Sequence, residues 1–113
     1  MVLSEWKTAT IAAAGTTSAA VDLGLGCARL LVLIPTLGDS ATTTVHVSNV
    51  AGGTYYPMYD FDGDATGCFA HATSDATTSM AVVFKIGGAS HIKIVTGAAQ
   101  TAETSFLVRG MSD

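Results

Sequence analysis

Charged side chains are scarce in this 113-residue sequence. Lysine, arginine, aspartate and glutamate together make up 12% of the residues, whereas hydrophobic residues make up 49%. A soluble domain usually carries about a quarter charged residues. So few charges cannot coat the whole surface of a monomer, which favours a domain that covers part of its surface with other protein. The alternative is a core rich in alanine and valine beneath a surface of threonine and serine.

Basic residues are especially few, and the net charge is −4. The five are scattered along the chain, at Lys7, Arg29, Lys85, Lys93 and Arg109. Because no basic stripe exists to neutralise phosphates, we expect no nucleic-acid partner. The longest apolar run, residues 30–34, is far shorter than the roughly 20 residues that cross a bilayer, so we expect no membrane association. The first ten residues lack a signal-peptide pattern, which predicts synthesis in the cytosol.

Catalytic and metal-binding motifs are also missing. Cys27 and Cys68 lack the neighbours of a zinc or redox motif, so we expect free buried thiols, with one disulfide as the alternative. His46, His71 and His91 form no pair at zinc-ligand spacing. No serine nucleophile elbow is present either. We therefore predict that the protein is not an enzyme and needs no cofactor.

One acidic stretch, residues 60–64, is where a hard cation would bind if any does. It reads Asp-Phe-Asp-Gly-Asp, which does not match the order of an EF-hand calcium loop. Aspartate and glycine are also the ordinary residues of tight turns. We interpret the stretch as a turn, and a metal site formed by Asp60, Asp62 and Asp64 is the weaker alternative.

The sequence does contain a clear β-hairpin pattern in residues 43–60. Val45 and Val47 alternate with polar residues, which is the period of a half-buried strand. Gly52-Gly53 then allows a chain reversal, and a tyrosine-rich return strand follows. Because Pro57 cannot donate a hydrogen bond to a ladder, this return strand should lie at a sheet edge or carry a bulge.

Similar strand patterns recur about every ten residues. They cover residues 7–14, 19–23, 28–34, 67–72, 79–86, 91–96 and 104–111, with turns predicted at Gly24 and Gly26 and at Gly87-Gly88. The apolar run at 28–34 does not alternate, so we expect its outer face to be covered by another segment or another subunit. About eight to nine short strands without a helix predict an all-β, single-domain antiparallel β-sandwich, jelly-roll-like, over residues 1–113.

Contact residues are predicted in two places. Residues 1–7 form a short lead that is free to reach a neighbour, and Trp6 within it is of a type favoured at interface centres. The hairpin holds the largest concentration of contact surface, in Tyr55, Tyr56, Met58 and Tyr59. In the alternatives, Trp6 packs on the core edge and two tyrosines fill core or subunit contacts. Exposed tyrosines could also stack on sugars, as they do in carbohydrate-binding modules.

Three segments carry motifs that occur together in one protein family. They are SNVAGGTYYPMYDFDGD, GTTSAAVDLG before it, and HIKIVTGAAQTAETSFLVRG after it. A Gly-Gly-Thr-Tyr-Tyr hairpin at 52–56 leads into an Asp-rich turn at 60–64, and an I-x-I-x-x-G strand at 92–97 precedes a hydrophobic strand at 106–109. In these features the chain resembles a family of small β-sandwich proteins encoded in the structural gene clusters of tailed bacteriophages. The lead and the histidines depart from that pattern.

The resemblance implies a virion structural protein without catalytic activity, and more specifically a capsid decoration (cement) protein on the capsid exterior, made in the host bacterial cytoplasm. Such proteins bind the major capsid protein, often as homotrimers, and bridge neighbouring capsomers. Few charges and an apolar excess fit this kind of assembly. A neck, tail or fibre-base component is the alternative, and an extracellular carbohydrate-binding β-sandwich module is a second alternative.

Overall fold

The computed structural model describes residues 1–61, 68–70, 72–73 and 77–112. Its strands are β1 (Lys7–Ile11), β2 (Val21–Ile34), β3 (Thr43–Ser48), β4 (Tyr56–Pro57), β5 (Tyr59–Phe61), β6 (Cys68–Ala70), β7 (Met80–Thr96) and β8 (Thr104–Met111). Every strand pairing is antiparallel, which confirms the predicted all-β class. Within these described ranges, no helix is long and apolar enough to cross a membrane.

Six strands form one sheet in the order β1-β8-β2-β7-β3-β4, and β5 pairs with β6 in a separate small sheet. The two longest strands, β2 and β7, lie at the centre of the large sheet and pair with each other. The described residues form eight strands, which is within the predicted eight to nine, but β2 and β7 are long where the sequence predicts only short strands. A jelly-roll arrangement stays a prediction.

Both glycine turns that the sequence predicts within β2 and β7 are wrong. The chain continues through them, so that β2 has 14 residues and β7 has 17. The register between the strands shifts around Cys27, and Gly24, Gly87 and Gly88 have positive φ. A Cβ at Gly26 would lie only 2.7 Å from the Gly88 carbonyl oxygen. Glycine therefore bends two paired strands where their backbones approach closely, which keeps the ladder instead of ending it.

These bends fold the single large sheet over its own core. The C-terminal half of β2 joins β1, β8 and the N-terminal half of β7, whereas the C-terminal half of β7 pairs with β3. The core cluster takes side chains from both halves, among them Leu30, Val45, Phe84, Ile94 and Phe106. The sandwich is thus two halves of one continuous sheet, with β2 and β7 passing from one half to the other.

Burial alternates along the apolar run at 28–34. Leu30, Val32 and Ile34 point into the core, but Leu31 is only half-buried and Leu33 is 36% exposed. No other segment of the described chain fully covers this outer side, so the expectation that a segment of this chain covers it is wrong for Leu33. Cover by another subunit stays a prediction.

Candidate interaction surfaces

The predicted hairpin is present, and its return strand lies at the sheet edge. In it, β3 pairs with β4 through Val47 and Tyr56 and through His46 and Pro57. The edge position of Pro57 is confirmed, since β4 is the last strand of the six. Tyr56 is 63% exposed. Tyr59, at the start of β5, is also exposed.

Tyr55 makes contacts within the chain. Its hydroxyl donates a hydrogen bond to the Ala51 carbonyl oxygen at 2.9 Å. The ammonium of Lys93 lies 4.5 Å from the centre of its ring, in cation–π geometry. Burial, with a smaller contribution from the negative charge of Asp22, raises the pKa of the Tyr55 phenol. The ring therefore fixes the base of the hairpin on β7.

A cleft of about 570 Å³ lies between the hairpin and the bend of β7. It brings together Tyr56 and Met58, two of the predicted contact residues. Its other walls are formed by Val47, Ser48, Asn49 and residues 86–89. Among the described residues that line the cleft, Tyr56 carries the only titratable side chain, and the walls that these residues form offer apolar contact and a few hydrogen bonds.

The described histidines point outward and are half-buried. Burial, and next to it the positive charge of Lys93, lowers the pKa of His46. His91 Nε2 lies 3.6 Å from an Asp22 carboxylate oxygen, and His91 Nδ1 lies 2.9 Å from the Ser90 hydroxyl. Both side chains occupy the outward positions that the strand patterns predict.

Several predicted residues fall outside the part of the chain that the structure describes. Asp62, Asp64 and His71 lie outside the described residues, and so do the side chains of Asp60 and Cys68. Asp60 and Phe61 lie in strand β5, paired with Phe69 and Cys68, so the turn interpretation is wrong for these two positions. For residues 62–64 the turn stays a prediction, and so does the alternative of a metal site. Over the described residues, no group of three or more histidine, cysteine, aspartate or glutamate side chains is placed to hold a metal ion. Cys27 is a free thiol whose pKa is raised by burial.

Trp6 lies on a second surface, away from the hairpin. Its ring stacks on the Arg109 guanidinium, 5.2 Å from carbon to ring centre, and is 42% exposed. We call this surface the outer face: the outward side of β8, of the C-terminal half of β2 and of the N-terminal half of β7, with Trp6 at its margin. Its exposed apolar residues are Trp6, Leu33, Val83 and Leu107.

Sequence reasoning did not name Leu31, Leu33, Val83 and Leu107 as contact residues. A signal was available, because the unbroken apolar run at 28–34 left leucines on both faces of one strand. The sequence alone does not give the register of β2 against β7 and β8, and it is this register that places Val83 and Leu107 beside Leu31 and Leu33.

The lead is tied to the end of β8. Leu3 forms a bridge with Met111, and the Ser4 amide donates to the Gly110 carbonyl oxygen at 2.9 Å. The Ser4 hydroxyl in turn accepts a hydrogen bond from the Gly110 amide at 2.8 Å. Met1, Val2 and Leu3 are nevertheless exposed, so this anchored segment presents apolar side chains at the margin of the fold.

No family model and no curated protein sequence matches the chain. Among solved structures, the fold is similar to that in the crystal structure of the SPBc2 prophage-derived protein YomS, with a TM-score of 0.57. The match covers 97% of this chain and 95% of that chain, at 13% sequence identity. Such identity shows a likeness of fold alone. Along nearly its whole length, the chain thus has a fold similar to that of a prophage-derived protein.

Proposed function

We propose that the chain is a bacteriophage virion protein, and more specifically a capsid decoration protein that binds the outer shell and bridges its capsomers. The observation that carries the proposal is the presence of two exposed contact surfaces on one small β domain. The hairpin cleft and the outer face are built on different strands. A protein that clamps neighbouring subunits needs two such surfaces.

Two further observations support a phage origin. The sequence resembles a family from tailed-phage structural gene clusters, and the fold is similar to that of a prophage-derived protein. A decoration protein stabilises a shell by mass action, because it binds the assembled lattice and not the separate subunits. The partner is the major capsid protein of the same virion, and the protein acts as a homotrimer.

Co-sedimentation with empty, expanded shells of the phage that encodes the chain tests the proposal. We expect saturable binding with a fixed number of copies per shell, and shells that resist heating better when the protein is bound. Binding to isolated tails but not to shells would instead favour the neck or tail alternative. Absence of binding to any virion part, together with retention on a glycan array, would favour the carbohydrate-binding alternative.

Light scattering on a sizing column tests the trimer. We expect a mass three times the 11.4 kDa of the chain. A ring of six or more copies would favour a neck or tail location. A monomer would contradict the trimer and would leave both surfaces available for a shell.

A further inference from the structure

Strand register arranges the outer face into three rows. Alternate residues of a strand point to the same side of a sheet, so directly opposed residues of neighbouring strands form a row. The first row is Leu107, Leu33 and Ala81, the second is Arg109, Leu31 and Val83, and the third is Met111, Arg29 and Lys85. Apolar residues fill the first row, and the positive charge lies in the second and third.

Large apolar side chains in this face remain in contact with solvent. Val83 is 48% exposed and Leu107 is 46% exposed. They flank Leu31 and Leu33 on the neighbouring strand, so the exposed apolar area is continuous across three strands. Leucine, tryptophan and arginine grouped in this way are typical of protein interfaces, where aromatic residues and arginine are enriched.

Positive charge is concentrated in the same face. Three of the five lysine and arginine residues of the chain, Arg29, Lys85 and Arg109, lie in the rows, and no carboxylate occupies any row position. In a chain of net charge −4, the charged side chains at the row positions are therefore all positive, and Arg29 and Arg109 supply the guanidinium groups among them.

We propose that the outer face docks on an acidic patch of another protein, with apolar contact at the first row and guanidinium–carboxylate pairs at the second and third. Arginine suits this role because its planar guanidinium can bind a carboxylate through two parallel hydrogen bonds. The inference rests on the proposed function in one respect: in a capsid decoration protein, the acidic patch would belong to the capsid shell.

Other occupants fit the rows less well. A twofold pairing of two copies through this face would bring cations together without any carboxylate in the rows to separate them. A nucleic acid would need phosphate contacts over the whole face, but the first row is entirely apolar. An acidic protein surface with an apolar centre matches both the apolar first row and the positive charges of the second and third rows.

The first test uses poly-L-glutamate as an acidic polypeptide probe at low salt, where charge attraction is least screened. We expect the parent chain to bind despite its net negative charge. Arg29→Glu should weaken binding about tenfold, since it reverses an exposed charge in the third row. Lys93→Glu is the matched control: it makes the same change in net charge beside Tyr55, and should weaken binding less than about threefold.

The second test uses expanded shells and separates this inference from the proposed function. Arg29→Glu and Leu33→Glu should each lower shell binding about tenfold or more, whereas Ala13→Glu, in the exposed turn that follows β1 and outside both contact surfaces, should not. If both outer-face variants bind shells as the parent does, the inference is overturned and the proposed function stands. If the parent binds poly-L-glutamate through this face but binds no shell, the proposed function fails and the acidic-partner inference stands.

Three results overturn the inference outright. One is failure of the parent to bind poly-L-glutamate at low salt. Another is tighter binding to duplex DNA or to anionic lipid vesicles than to the polypeptide. The third is a drop from oligomer to monomer in Arg29→Glu but not in Lys93→Glu, which would assign the face to a second copy of this chain.

Discussion

The two halves of β7 share one core but present different outward sides. Inward residues are equally buried in both, as Phe84 and Ile94 illustrate. Outward residues of the C-terminal half have partners within the chain, for Lys93 lies over the Tyr55 ring. In the N-terminal half, the outward Val83 lies beside other apolar side chains and remains 48% exposed.

This distribution of exposed residues is the opposite of that in a typical monomeric protein. Polar outward residues normally face solvent, and apolar ones are covered where possible. Here the Tyr55 ring of the hairpin covers the charged Lys93 in one half of β7, whereas the apolar Val83 in the other half stays 48% exposed. The comparison therefore identifies the outer face as the part of the surface that gains most from contact with another protein.

The largest expected effect is the difference in stability loss between substitutions on the inner and the outer side of β2. Leu30→Ala should lower the free energy of unfolding by about 2–5 kcal/mol, because it leaves a cavity in the centre of the core. Leu33→Ala, on the outer face, should cost less than about 1 kcal/mol. Equilibrium unfolding in urea measures both. Equal losses would mean that the outer face is packed as tightly as the core in solution.

The next effect tests the bend that the two halves share. Gly26→Ala should destabilise the protein by about 1–3 kcal/mol, because the new Cβ would lie 2.7 Å from the Gly88 carbonyl oxygen. Gly52→Ala at the hairpin tip is the control, since a Cβ there meets no atom within 4 Å. Thermal unfolding of the two variants compares them. Indistinguishable values would show that residues 24–26 form an open turn, as the sequence predicts.

A smaller effect distinguishes two neighbouring tyrosines. Tyr55→Ala should cost about 1 kcal/mol, through loss of the Lys93 contact and the hydrogen bond to Ala51. Tyr56→Ala should change stability by less than about 0.5 kcal/mol, because the ring is mostly exposed. Tyr55→Phe keeps the ring and should restore part of the loss. A larger cost for Tyr56 in urea unfolding would contradict this assignment.

The smallest effect concerns pH. Because the folded pKa of His46 is lowered, the unfolded state binds a proton first as the pH falls below the usual histidine value of about 6.5. Stability should therefore decrease from pH 7.5 to pH 5.5, and His46→Gln should reduce that decrease. Urea midpoints at both pH values measure the slope. An unchanged slope in His46→Gln would assign the pH dependence to other groups.

Much of the fold could be predicted because its signals are local. Alternation in residues 43–48 and 91–96 predicted which side chains enter the core, and Ile92 and Ile94 are fully buried. Pro57 predicted an edge strand through its missing donor, and the last strand has the predicted bounds of 104–111. Each inference depends on the chemistry of a few adjacent residues.

The glycine positions could not be resolved in the same way. Glycine can end a strand or bend it, and the outcome depends on whether a partner strand continues alongside. Gly26 and Gly88 are in contact across β2 and β7, although they are some 60 positions apart in the chain. The residues next to each glycine in the sequence do not indicate this contact.

By itself, the sequence determined the β class, the hairpin and the inward residues, because alternation and turn chemistry act over a few residues. Only the tertiary structure decided which outward residues share a surface. Leu31, Val83 and Arg109 lie far apart along the chain, and antiparallel register alone places them in one row. That register also separated Trp6 from the hairpin tyrosines, which sequence reasoning had grouped only as contact residues.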